Sequence, residues 1–247
     1  MSAAFCRWLA VTSVVILAGP QAAHAGAVTF TKLSGLTGGN PALTAVYRAD
    51  LSAVGLEEIV SISITDNSFA LGGAGSQFSG FDLDAIMLST SSVGTAGEAA
   101  GLVGLAVFDF SPAGTFFTPG AQRAPPDPKL FGTGSTGNTV DNSVATLGAF
   151  DANATIDFGA FGFLSMGDGG QLAFNLTQPV STAGLFLYIS EVGDNGEVAA
   201  GSIEVSDRPV GSAVPEPSAL ALTLVAGLIA WRATRCRQRP KSPTLSA

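Results

Sequence analysis

Charge, cysteine, histidine and tryptophan are all scarce in this 247-residue chain. Charged residues make up 12%, and there are two Cys, one His and two Trp. All five of those rare residues lie near the ends: Cys6 and Cys236, His24, Trp8 and Trp231. Between Gly26 and Val214 none of the three types occurs. That span can form no disulfide. It holds no Ser-His-Asp or Cys-His catalytic set and no zinc or copper site built on imidazole or thiolate. No Trp is there to stack a sugar. Positive charge is short as well. Lys32, Arg48, Arg123, Lys129 and Arg208 face all of the 19 acids except Glu216, so five cations meet 18 acids and the net charge is about −13. No basic patch could neutralise phosphates, which argues against nucleic acid as a partner. Oxygen chemistry remains: carboxylates, amides, hydroxyls and backbone carbonyls.

The two ends carry transport signals. The first 25 residues read "MSAAFCRWLAVTSVVILAGPQAAHA". Arg7 precedes an apolar run of 12 residues, Trp8 to Gly19, and Pro20 breaks it. Ala23-His24-Ala25 is a small-x-small cleavage box, so residues 1–25 are expected to be a secretory signal peptide cut after Ala25. Export through the Sec translocon and signal peptidase follows from that reading. At the other end, "VPEPSALALTLVAGLIAWRATRCRQRP" joins Pro215-Glu216-Pro217 to an uncharged apolar run, 218–231, and then to Arg232, Arg235 and Arg237. Fourteen helical residues span about 21 Å, short against a hydrocarbon core of about 30 Å. The arginines place this end in the cytoplasm by the positive-inside rule. The helix is apolar all round and offers no amphipathic face for docking onto a core.

This order of Pro-Glu-Pro, apolar helix and arginine cluster resembles the PEP-CTERM sorting signal. The resemblance covers residues 213–247, and the tail runs on past the arginines through "PKSPTLSA". It implies a temporary transmembrane anchor, cut near Pro215-Glu216-Pro217 by exosortase, a membrane protease of Gram-negative bacteria that typically also make extracellular polysaccharide. The implied route is an inner-membrane intermediate, then the outer surface or the medium.

The intervening residues 26–212 are expected to form one all-β domain. "LEEIVSISI", "FDLDAIML", "VGLAVFDF", "ATIDF", "QLAFNL", "LFLYIS" and "GEVAAGSIEVS" carry apolar residues at period two, with Gly/Ser-rich turns between them. About nine short strands predict an antiparallel β-sandwich of jelly-roll type. In "FDLDAIML" the alternation sets Phe81, Leu83, Ala85 and Met87 against Asp82 and Asp84. The proline-rich stretch "SPAGTFFTPGAQRAPPDPKL" reads as a long loop, because proline cannot sit in a central strand.

Three groups of acids are candidates for chemistry. Asp82 and Asp84, two apart on a strand, are expected to share a face. Calcium is the cation that such paired carboxylates suit. Asp168 sits in the glycine turn "SMGDGGQL", where backbone carbonyls could join a calcium site. Glu191, Asp194, Asn195 and Glu197 surround the turn "DNG". Each has a plainer reading: a solvated strand face for the aspartate pair, and ordinary turns for the other two. Asn153-Ala-Thr155 and Asn175-Leu-Thr177 fit the glycosylation sequon. The expected function is that of an exported, non-catalytic surface or matrix protein in extracellular polymer or biofilm, with extracellular polysaccharide as a partner. Two alternatives are a calcium-dependent carbohydrate-binding module and a secreted hydrolase that uses carboxylates alone.

The cleavage box generates the first prediction. N-terminal sequencing of the exported protein should read Gly26. An intact Met1 or Ser2 on exported material would refute it.

Overall fold

In a computed structural model, residues 25–40, 42–69, 74–153, 159–194 and 202–211 are described. They lie within one compact unit, Ala23–Ser212. The predicted signal peptide up to His24, Ala23 included, lies outside the described residues, as does the sorting tail with Pro215, Glu216, Pro217, Arg232, Arg235 and Arg237. Among the described residues no helix is long and apolar enough to cross a membrane.

Ten strands occur among the described residues: β1 Ala25–Ala27, β2 Thr31–Lys32, β3 Thr44–Asp50, β4 Glu58–Thr65, β5 Asp82–Ser89, β6 Thr115–Thr118, β7 Leu164–Ser165, β8 Gln171–Ser181, β9 Phe186–Val192 and β10 Ser202–Ser206. They form two five-stranded sheets, ordered β1-β10-β4-β8-β6 and β2-β3-β9-β5-β7. Every pairing between these strands is antiparallel. Two short α-helices, α1 Ala96–Ala100 and α2 Asn142–Ala145, and two 3-10 helices, Leu51–Ala53 and Ser76–Phe78, complete the regular elements among the described residues.

In the first sheet β8 follows the simple rule of period two over Gln171–Leu176, whereas β4 shifts register between Ile59 and Ser61. On β8, Leu172, Phe174 and Leu176 turn inward while Gln171, Ala173 and Asn175 are less buried. One apolar cluster joins the sheets. It takes Ile62, Ile64, Phe174 and Val205 from the first and Leu83, Ile86, Leu88 and Ile189 from the second. Phe108 and Phe110 stack on each other and meet Phe174 edge-on.

The centre of the second sheet is buried on both sides. All eight residues of β5 are buried, and so are all of β9 after Phe186. Leu33, Val46, Met87 and Tyr188 on its outer side pack against Ala96 and Ala99 of α1. Thr95 and Glu98 close a reciprocal capping box at the start of that helix. The preceding loop is tied down as well: the Tyr188 hydroxyl donates to Ser91 O at 2.7 Å and accepts from Val93 N at 3.1 Å. Arg48 donates to Ser92 and to Val93 O and lies over the Phe186 ring.

Three expectations need correction, and one strand was not foreseen. The alternation expected along "FDLDAIML" breaks at a bulge between Leu83 and Ile86. An extra residue there resets the parity. Leu83 therefore faces the inter-sheet core while Met87 joins the outer cluster. "VGLAVFDF" forms no regular strand, because it crosses between sheets. Leu105 N donates to Leu88 O of the second sheet, whereas Val107 O accepts from Thr177 N and Phe108 bridges Leu176, both of the first. The proline-rich stretch contains β6, which lies at the edge of its sheet, where flanking prolines are tolerated. Strand β3, "TAVYRAD", went unread because Arg48 and Asp50 interrupt its apolar signal. Of the remaining segments, "ATIDF" lies outside the described residues.

A glycine contact holds the two sheets' connections together. Gly80 has φ +77°, and a Cβ there would lie 2.4 Å from the Gly167 carbonyl carbon. No side chain fits without moving backbone. Gly94, by contrast, has open space around its missing Cβ. Gly80→Ala should lower the melting temperature by several degrees, while Gly94→Ala should change it by less than a degree or so. Equal melting temperatures for the two variants would contradict this.

Candidate functional site

The predicted aspartates are not solvated. Asp82 and Asp84 are both fully buried, at 0% exposure, which corrects the reading of a water-facing strand. They also turn to different neighbours. Asp82 accepts a hydrogen bond from the Ser165 hydroxyl of β7. Asp84 lies toward β9, where its Oδ2 accepts from the Ser190 hydroxyl at 2.9 Å. Its Oδ1 accepts from Asp151 N at 3.1 Å and Ala152 N at 2.9 Å. Ser190 Oγ in turn accepts from Ala85 N at 2.8 Å, inside the bulge. Asp84 thus joins the irregular part of β5 to the segment that covers the sheet.

Burial opposes ionisation of Asp84. It outweighs the stabilising hydrogen bonds from Ala152, Ser190 and Asp151, and the nearby Asp151 charge adds to it. The carboxyl is pushed up from 3.8 to about 7.

Asp168 belongs to another system. The Arg123 guanidinium donates to its carboxylate at 2.7 Å from Nη2 and at 3.1 Å from Nε. Ser68 Oγ also donates to it, at 3.3 Å. Beside this pair is Asp66, a buried acid that the sequence reading passed over. It accepts from Phe81 N and Gly169 N at 2.9 Å each, and from Ser68 N at 3.3 Å. The carbonyls expected to join a calcium site at the glycine turn have protein partners. Met166 O accepts from Gly120 N and Asp168 O from Ala121 N, both at 2.9 Å. Asp66 has a weak signal in "TDNS", an Asx-turn pattern.

Glu191 is fully buried opposite Leu83 and Ala45. Burial first, then the charges of Glu191 and Asp194, push the Tyr47 phenol up to about 12. Asp194 pairs with Lys32. Asn195 and Glu197 lie outside the described residues.

Asp82, Asp84 and Asp168 are therefore held in separate hydrogen-bond systems. Among the described residues no group of three or more His, Cys, Asp or Glu is placed to hold a metal ion. Both sequon asparagines are engaged in the fold. Asn153 donates to Gly159 O and accepts from Phe161 N. Asn175 accepts from Val210 N at 2.7 Å and donates to Val210 O at 3.3 Å. No family model, no curated protein and no solved structure matches the chain.

Asp84 makes stability depend on pH in a defined direction. Below pH 3.8 the carboxyl is protonated in both the folded and the unfolded chain, and its contribution is fully present. Between pH 4 and 7 the unfolded chain ionises first, so stability falls as pH rises, by on the order of 4 kcal/mol in all. Asp84→Asn keeps the acceptor for Asp151 N and Ala152 N and cannot ionise. Denaturant unfolding across pH 4–8 should show the wild type losing stability relative to this variant. Parallel profiles would refute the assignment.

Proposed function

We propose that the chain is an exported, non-catalytic cell-surface or extracellular-matrix protein whose tail is sorted and cut by exosortase. The ectodomain is read as a jelly-roll-like β-sandwich with a structural or adhesive role in extracellular polymer. One observation carries the proposal: Pro215-Glu216-Pro217, the apolar run 218–231 and the arginines Arg232, Arg235 and Arg237 stand in that order, opposite a leader that ends in Ala23-His24-Ala25. The ectodomain's own chemistry supports a scaffold. Asp66 and Asp84 accept hydrogen bonds from backbone amides of neighbouring segments, and Asp168 holds Arg123. Carboxylates used this way fasten loops.

Processing in a host that carries exosortase tests the proposal. Replacing Pro215-Glu216-Pro217 by alanines, or the three arginines by glutamine, should leave the protein uncut and in the membrane fraction. Its β-type circular dichroism should not change. Variants that are cut and released like the wild type would sink the reading.

A further inference from the structure

A cleft of about 590 Å³ lies where the end of β6 meets the loop 128–138. That size falls within the range of small-molecule sites. Phe117, Pro119, Pro128 and Leu130 give it an apolar side. Thr118, Gln122, Thr136 and Asn138 add hydroxyls and amides, and Lys129 supplies a positive charge. No acid lines it. In a span with 18 acids and five cations this is unusual electrostatic ground. The surplus of acids repels an approaching anion on average, whereas Lys129 attracts it here.

Two of the polar groups, Lys129 and Gln122, are also held in place beforehand. Lys129 Nζ donates to Thr133 O and Gly134 O. An ammonium has three N–H donors, so one remains for a ligand. The loop is braced by Gly134 N to Thr139 O at 2.8 Å and by Gly137 N to Gly134 O at 3.0 Å. Gln122 Oε1 accepts from Asp127 N at 2.7 Å, which fixes the amide and leaves its NH₂ as the donor end. Lys129 also helps hold the nearby Asp141 carboxyl below its usual range, after the Ser143 hydrogen bonds, but Asp141 is not among the lining residues.

We infer that this cleft is a binding site for a small hydroxylated carboxylate of the sugar-acid class. A single lysine suits a monoanion. The neutral hydroxyls and amides suit hydroxyl groups, and the proline and phenylalanine side suits a C–H face. The inference does not depend on the export reading and can fail without it.

Amide NMR titration of the full-length chain in detergent tests it, with sodium glucuronate as the probe and glucose as the neutral control. Glucuronate at tens of millimolar should shift resonances of 118–138, and glucose should shift them at least tenfold less. Lys129→Gln should weaken glucuronate binding by tenfold or more. Because that change also loosens the 133–134 turn, Asn138→Leu provides a second variant. It leaves the lysine and its carbonyl anchors intact, and it too should weaken binding by tenfold or more without altering the melting temperature. Absence of shifts in the wild type, equal shifts with glucose, or wild-type affinity in either variant would overturn the assignment.

Discussion

Strands β5 and β9 are covered on both faces, and this constraint governs the polar chemistry of the domain. A carboxylate on such a strand cannot turn to water. It must find donors within the protein or lose its charge. Asp82, Asp84, Ser190 and Glu191 all sit on these two strands and all are buried. What resembles ligand chemistry in a linear reading is therefore, at Asp84, the means by which a two-sided strand holds its cover.

The bulge and the aspartate work together. An extra residue between Leu83 and Ile86 disturbs the ladder with β9. The Ser190 hydroxyl repairs it by accepting from Ala85 N and donating to Asp84. The other oxygen of Asp84 then receives two consecutive amides, Asp151 and Ala152. Ala152 packs with Phe78, Phe163 and Val192 on the outer side of the sheet. A single carboxyl thus couples strand geometry to the placement of a covering segment. The elevated ionisation range is the energetic counterpart of that position.

The all-β character was legible because β8 and the second half of β4 keep apolar residues at period two and β9 opens on a short apolar run, Phe186 to Ile189. The proline-rich stretch was read as a loop, because proline's missing donor excludes a central strand but does not exclude the edge, where β6 lies. The bulge was not, since nothing in "DLDAIMLS" marks where parity changes, and the partner that stabilises it, Ser190, is more than a hundred residues away. The burial of Asp82 and Asp84 was hidden for a related reason. An alternating strand reads as half-exposed, and only the tertiary placement of α1, of residues 147–152 and of Phe163 shows that its second face is covered. Asp168 was correctly placed in a turn, but its partner Arg123 lies in the proline-rich stretch that carried no strand signal of its own.

The chain ends of the folded unit bear on how processing and folding fit together. Ala25, Gly26 and Ala27 pair with Ser206, Val205 and Glu204 at one edge of the first sheet. A cut after Ala25 removes one of these three pairs and leaves two. Gly26 would then be the first residue, and it packs so closely that a Cβ would lie 2.8 Å from Val54 O. Only glycine suits that place, and a glycine after Ala25 also suits a cleavage site. On the other side, the chain beyond β10 is fastened to the same sheet. The Ser61 hydroxyl donates to Arg208 O at 2.6 Å, and Asn175 holds both backbone groups of Val210. Ser61 and Asn175 are register partners on β4 and β8, so one cross-strand pair secures the segment that leads to the tail. The folded unit therefore anchors both of its own ends on one sheet. A cut at Pro215-Glu216-Pro217 would fall several residues past the last of these contacts and would leave the anchoring bonds untouched.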